Sequence, residues 1–108
     1  MESMSIKLIV LKSGENIISD VQEMIVNDQV IGYFLKNPCV VRIKNIQIEI
    51  ENENNKTIAD ITLNPWIPLS KDETIPVTSD WVITIVEPIS NVKNLYEQTI
   101  NRIENDNN

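Results

Sequence analysis

The sequence contains no histidine, a single cysteine and only two glycines among 108 residues. Without histidine the chain lacks the usual general base near neutral pH and the commonest zinc ligand, which argues against catalytic triads and most transition-metal sites. Cys39 has no partner for an internal disulfide, and its apolar neighbours favour a small buried side chain over a nucleophile. Gly14 and Gly32 do not form a glycine-rich phosphate loop. The sequence therefore predicts no enzyme, no catalytic residue, no metal and no cofactor.

Basic residues are also scarce, since 9 lysines and arginines stand against 16 acidic residues and give a net charge of -7. Proteins draw most of their affinity for a nucleic-acid backbone from lysine and arginine, so any contact with RNA or DNA is expected to be local. No hydrophobic stretch is long enough to span a bilayer, and the N-terminus lacks a basic segment followed by an apolar one. These features predict a soluble, cytoplasmic protein without membrane contact.

What the chain does contain is a series of short strand patterns. Residues 6–11 and 17–26 flank the tight turn Ser13-Gly14, which predicts a β-hairpin. The apolar parity switches within residues 20–23 and again near Lys44-Asn45, as bent or bulged strands require. Further strands are predicted at residues 30–35, 41–50, 57–63, 74–77 and 81–86, with a break or bend at residues 36–38 and a polar hairpin tip at residues 51–56.

The last strand and the segment after it complete the predicted domain. Residues 81–86 are apolar on both faces, which is typical of a central or an interface strand. After the helix-capping residue Ser90, apolar side chains recur at helical spacing up to Ile103. We therefore expect one mainly β domain over residues 1–108: a small, strongly bent five-stranded barrel at about residues 5–88 and a C-terminal α-helix at about residues 90–104.

Several segments resemble the Sm/LSm family. The hairpin Leu11-Lys12-Ser13-Gly14-Glu15-Asn16-Ile17 is similar to the one that opens its barrel, and residues 77–85 have the spacing of the turn between its fourth and fifth strands. Together with Lys36-Asn37-Pro38-Cys39 and Pro65-Trp66-Ile67-Pro68-Leu69-Ser70, the chain resembles in particular small Sm-like proteins of marine cyanophage type. This resemblance implies an Sm-like (SH3-like) barrel, a viral protein in the host cytoplasm, and a homo-oligomeric ring of about five to seven subunits.

The resemblance also locates a candidate binding surface. Where the family holds a base with an aspartate and an asparagine, this sequence has Ile25 and Gln29, and the family's Arg-Gly pair falls on residues 78–79. Ser19 stands where the family has a second glycine. The candidate nucleic-acid-binding residues lie in two turns, and they are Asn27, Asp28, Gln29, Thr78, Ser79, Asp80 and Trp81.

Three further features each allow two interpretations. Trp81 could stack on a base, or it could belong to the core of a subunit interface. Trp66, close to two prolines, could contact a partner, or it could fill barrel or interface space. The acidic and amide residues at 49–55 offer oxygen ligands for Ca²⁺ or Mg²⁺, but they lack the glycine and the spacing of a dedicated loop, so a solvated hairpin is favoured.

Two functions therefore stay open. The first is an Sm-like ring that binds RNA or single-stranded DNA during nucleic-acid processing. The second is a structural or assembly adaptor ring without a nucleic-acid ligand, which the acidic balance and the missing arginine favour. In both, the apolar edge of residues 81–86 would pair with a neighbouring subunit.

Overall fold

The computed structural model describes residues 4–51 and 54–106, which form a strongly curled antiparallel half-barrel followed by one helix. The strands are β1 (Ile6–Leu11), β2 (Asn16–Val26), β3 (Gln29–Glu51), β4 (Asn54–Pro65), β5 (Thr74–Thr78) and β6 (Val82–Val86), and the helix is α1 (Ser90–Asp106). Five strands follow one path in the order β4-β3-β2-β1-β6, and β5 pairs with β3. The predicted mainly β class with a C-terminal helix is confirmed.

β3 is the element that organises the half-barrel. It runs continuously for 23 residues and bends at Asn37, which has a positive φ of 51°. Its first part pairs with β5 up to Lys36, and its second part pairs with β4 from Cys39 onward. The two predicted strands at residues 30–35 and 41–50 are therefore one bent strand. β5 thus pairs with the first part of β3 and β4 with the second part. The loop of residues 66–73 connects these two strands next to the bend of β3.

The irregularity predicted near Lys44-Asn45 is present as a shift of strand register, whereas two shifts lie on either side of residues 20–23, where the other was predicted. β2 shifts against β3 between Ile18 and Asp20, and β3 shifts against β4 between Ile43 and Asn45. The extra residue of the second shift is Lys44, and it returns Ile46 to the same face as Ile43. The change of apolar parity near Lys44 thus marks the position of that shift, whereas the change within residues 20–23 lies between the two shifts of β2.

A cluster of hydrogen bonds fixes the bends of β2 and β3 against each other. The hydroxyl of Ser19, which is fully buried, lies 2.9 Å from the carbonyl oxygen of Lys36. The Tyr96 hydroxyl lies 3.0 Å and 3.1 Å from the carbonyl oxygens of Lys36 and Asn37, and it accepts the amide of Asp20 at 3.2 Å. These contacts tie α1 to the most sharply curved part of the sheet.

Alternation along the strands creates two apolar cores. One lies between the sheet and α1, and its buried members are Ile6, Ile18, Cys39, Ile61, Val92, Tyr96 and Ile100. The other fills the interior of the half-barrel with Ile9, Leu11, Ile17, Leu35 and Val77. The sheet therefore needs both the helix and the strands β5 and β6 to cover its two faces.

The turns agree with the sequence patterns except at one hairpin. Gly14 has a positive φ of 91°, as expected for the first turn. The β3–β4 ladder extends to the pair Glu51 and Asn54, so the polar tip is shorter than the predicted residues 51–56. Asn52 and Glu53, which belong to the acidic and amide cluster, lie outside the described residues.

None of the described helical segments has the length and apolar character needed to cross a bilayer.

Candidate nucleic-acid interface

The first candidate turn joins β2 to β3. Asn27 and Asp28 have positive φ angles of 52° and 63°, and the flanking residues Val26 and Gln29 are paired. This is the geometry of a two-residue hairpin turn, which asparagine and aspartate tolerate better than other side chains. All three candidate residues 27–29 are exposed, so their amide and carboxylate groups point into open solvent.

The second candidate turn follows β5. Thr78 is the last residue of that strand, and residues 79–81 form a short 3₁₀ turn before β6. Thr78 lies opposite Gly32 of β3, only three residues along the strand from Gln29. Because a strand rises by about 3.3 Å per residue, the two turns are about 10 Å apart. The fold thus brings the two sets of candidate residues to the same end of the half-barrel.

Gly32 makes this proximity possible. A Cβ atom on Gly32 would lie 2.5 Å from the carbonyl oxygen of Val77, closer than two such atoms can approach. β3 and β5 therefore come together at a point where only glycine fits. The sequence showed an isolated glycine within a strand pattern, but it did not indicate which backbone would approach it.

Trp81 is the last residue of the second turn, and 47% of its surface is exposed. Its carbonyl oxygen accepts the backbone amide of Lys12 at 2.9 Å, so the first hairpin of the chain also reaches this end. The sequence pattern assigned residue 81 to the last strand, but it belongs to the 3₁₀ turn because β6 begins only at Val82. Lys12 is therefore a neighbour of the candidate residues. The sequence motifs did not reveal this proximity.

The charges at this end are mixed. The seven candidate residues include two carboxylates, Asp28 and Asp80, and no basic side chain. Lys12, which is exposed, supplies a cation near this end, because its backbone amide bonds to the backbone carbonyl oxygen of Trp81. This combination can hold a stacked base and one phosphate, but it cannot neutralise a long stretch of backbone. Binding by the seven residues stays a prediction.

The sequence of this half-barrel matches a family of unknown function, DUF6561, over residues 4–101. The chain belongs to this family. The matched region begins just before β1 and ends within α1, so it includes both cores of the fold. The comparison with curated proteins gave no match.

In this DUF6561 chain, Trp66 does not form an exposed platform. It is half-buried against the interior core, and its backbone amide donates to the carbonyl oxygen of Pro38 at 2.9 Å. The exposed apolar residues of the loop are instead Ile67 and Leu69, and the Leu69 side chain is 99% exposed. The interpretation of Trp66 as a filler of barrel space therefore agrees with its position.

The last strand of the DUF6561 fold has one open edge. β6 pairs with β1, and within the described residues no strand pairs with its other side. Residues Val82–Val86 contain neither a charge nor a proline, and Ile83 is 62% exposed. Among the strands that the structure describes, β6 is therefore an edge strand and not a central one. The interpretation as an interface strand stays a prediction.

Proposed function

We propose that this protein is an Sm-like ring protein, in which copies of the chain join edge to edge and present the two candidate turns to single-stranded RNA or DNA. The observation that carries the proposal is the open edge of β6. A short apolar strand with unpaired backbone groups invites uncontrolled association unless another strand covers it. Closing a ring of copies covers every such edge at once.

The strand that fits this edge best is β5 of a neighbouring copy. β5 and β6 each contain five residues, and within the described residues each is paired on one side only. Pro76 lies in the middle of β5, and proline occurs in sheets where its nitrogen faces a free edge. The carbonyl oxygen of Pro76 can still accept a hydrogen bond. β5 can therefore pair with β6, with one backbone N–H donor fewer than a strand without proline. All pairs within the sheet are antiparallel, and we extend that orientation to the contact between copies.

The nucleic-acid part of the proposal rests on Trp81 and its neighbours. A base stacked on Trp81 would gain roughly 1–3 kcal/mol irrespective of its identity. Gln29 can donate and accept hydrogen bonds at a base edge, and Lys12 can contact a phosphate. Since this end offers few cations, the affinity should fall only slightly with rising salt.

The experiment is a fluorescence-anisotropy titration with short U-rich and A-rich oligonucleotides at low salt. We expect binding by the unmodified chain and a five- to hundred-fold loss in Trp81→Ala, roughly as the stacking energy requires. Gln29→Ala should weaken binding less. Ile48→Ala serves as a matched control because Ile48 is exposed on the far β3–β4 hairpin. An absence of binding at high protein concentration would refute the nucleic-acid role.

A specific observation favours the alternative of an assembly adaptor ring. The candidate turns contain two carboxylates and no basic side chain, and the whole chain has a net charge of -7. Such a surface repels a phosphate backbone beyond the immediate contact with Lys12. In this alternative the ring forms as proposed, while the titration above gives no signal.

A further inference from the structure

A pocket of about 230 Å³ lies between the bend of β3, the loop of residues 66–73 and the last turn of α1. We name it the loop pocket. Most of the residues that line it are apolar, and they include three prolines, one indole and two isoleucines of the loop and the helix: Pro38, Pro65, Pro68, Trp66, Ile67 and Ile103. Trp66 therefore contributes to the interior core and also borders a surface that a ligand can reach.

Hydrogen bonds attach both ends of the loop to the bend of β3. The amide of Trp66 donates to the carbonyl oxygen of Pro38 at 2.9 Å, and the amide of Asn37 donates to the carbonyl oxygen of Glu73 at 2.8 Å. These bonds hold the loop in place before any ligand arrives. A preformed pocket loses little conformational freedom on binding, so more of the contact energy contributes to affinity.

The polar part of the loop pocket is acidic. Asp72 and Glu73 both line it and both are exposed. The amide of Asp72 donates to the Ser70 hydroxyl oxygen at 3.0 Å, and the side-chain amide of Asn37 donates to the Glu73 carboxylate at 3.4 Å. Within the described part of the chain, neither carboxylate forms an ion pair, and no lysine or arginine lines the pocket. Both negative charges are therefore available to a ligand.

These properties favour a ligand that is apolar in one part and positively charged in another. The prolines and the indole offer an apolar surface, and an indole also attracts a guanidinium group. Arginine can bond to a carboxylate through two parallel N–H groups. A nucleic acid does not fit, because its phosphates would lie against two carboxylates on a chain with a net charge of -7.

We propose that the loop pocket binds an extended peptide segment of a partner protein. Proline or aliphatic residues of the segment lie against Trp66 and the neighbouring prolines, and an arginine of the segment bonds to Asp72 and Glu73. Proline-rich segments suit aromatic-lined grooves because their backbone is already ordered before binding. The inference goes beyond the proposed function, since it requires neither a ring nor a nucleic acid.

The fluorescence of Trp66 tests this inference on the full chain. The chain has two tryptophans, so Trp81→Phe leaves Trp66 as the only one. The probe is a peptide of proline and leucine residues with blocked ends and a single arginine, and the matched peptide carries glutamine instead. We expect a saturable change in Trp66 emission, with the arginine peptide bound about three- to thirty-fold more tightly, as two exposed ion pairs allow.

Variants in the Trp81→Phe background separate the two parts of the pocket. Asp72→Asn and Glu73→Gln should each weaken binding of the arginine peptide by about two- to five-fold and leave the glutamine peptide unchanged. Ile67→Ser should weaken both peptides, because it alters the apolar wall. Asp60→Asn is the matched control, since Asp60 is an exposed carboxylate of β4 that does not line the pocket.

Three results would overturn the inference. They are an absence of any change in emission at millimolar peptide, equal affinity of the unmodified pocket for the two peptides, and an effect of Asp60→Asn as large as that of Asp72→Asn. Binding of the arginine peptide by a chain that stays monomeric and ignores oligonucleotides would support the pocket while refuting the proposed ring.

Discussion

At the scale of single residues, the hydroxyl group of Tyr96 has the largest structural role. It contacts two carbonyl oxygens at the bend of β3 and the backbone amide of Asp20 in β2, while its ring is fully buried. Ser19 supports the same point with its hydroxyl on the Lys36 carbonyl oxygen. Side-chain hydrogen bonds of these two residues therefore stabilise the bend.

We predict that Tyr96→Phe lowers the free energy of unfolding by about 1–3 kcal/mol, because buried backbone groups lose their partner. Urea unfolding followed by circular dichroism measures the change. Tyr33→Phe is the matched control, since the Tyr33 hydroxyl makes no hydrogen bond within the described part of the chain. Equal stability of Tyr96→Phe and the unmodified chain would contradict the role assigned to this hydroxyl.

Alkaline pH should also destabilise the fold. Burial raises the pKa of Cys39 to about 11, and burial likewise raises the pKa of Tyr96. The folded state therefore keeps these protons at pH values where the unfolded chain releases them, so the unfolding free energy falls as pH rises. For Cys39 the fall begins near an unfolded pKa of about 8.5 and continues to about 11.

The measurement is urea unfolding at intervals from pH 8 to pH 11. Cys39→Ala should flatten the decline at the lower end of this range, and Tyr96→Phe should flatten it at the upper end. A stability that is constant from pH 8 to pH 11 would contradict burial of both groups.

Gly32 gives a second prediction at this scale. Gly32→Ala should destabilise the chain by about 1–3 kcal/mol, because the added Cβ would lie 2.5 Å from the Val77 carbonyl oxygen and must push β5 away. Thr78→Ala is the control because Thr78 is exposed directly opposite Gly32. Thermal unfolding compares the two variants. If Gly32→Ala were as stable as Thr78→Ala, the close approach of β3 and β5 would be wrong.

At the scale of elements, the parity of apolar residues predicted the bulge at Lys44, and their helical spacing predicted α1, whereas the irregularity predicted within residues 20–23 lies on either side of that range. Ile43 and Ile46 have opposite parity, yet they share a face because Lys44 is the extra residue of a bulge. The β3–β5 contact could not be predicted in this way, because it joins residues 38 to 46 positions apart and depends on backbone proximity at Gly32. The sequence predicted the two candidate turns. It did not predict that Lys12 lies next to Trp81, because this contact also joins residues that are far apart in the chain.

The open edge of β6 gives the prediction for this scale. Ile83→Lys places a charge on that edge, and exposed charges on an edge strand oppose strand addition. We expect the variant to fold with nearly unchanged stability and to lose self-association. Ile25→Lys is the control, because Ile25 is about equally exposed but lies beside the β2–β3 turn. Sedimentation velocity distinguishes them, and equal association of the two variants would contradict the use of this edge.

At the scale of the whole molecule, the single chain is more extended than its size requires. Its radius of gyration is 15.1 Å, whereas a compact domain of this length has a value of about 13 Å. Its principal dimensions are 49, 36 and 30 Å. The excess agrees with hairpins that project from the half-barrel and with apolar residues that stay exposed on them. Both features are expected of a subunit whose remaining contacts come from neighbouring copies.

The central claim is that copies of the chain associate through the free edges of β5 and β6, and native mass spectrometry tests it most directly. The account predicts one dominant closed species whose mass is an integral multiple of the 12.4 kDa chain, and which Ile83→Lys converts to single chains. A single 12.4 kDa species for the unmodified protein at high concentration would contradict the account.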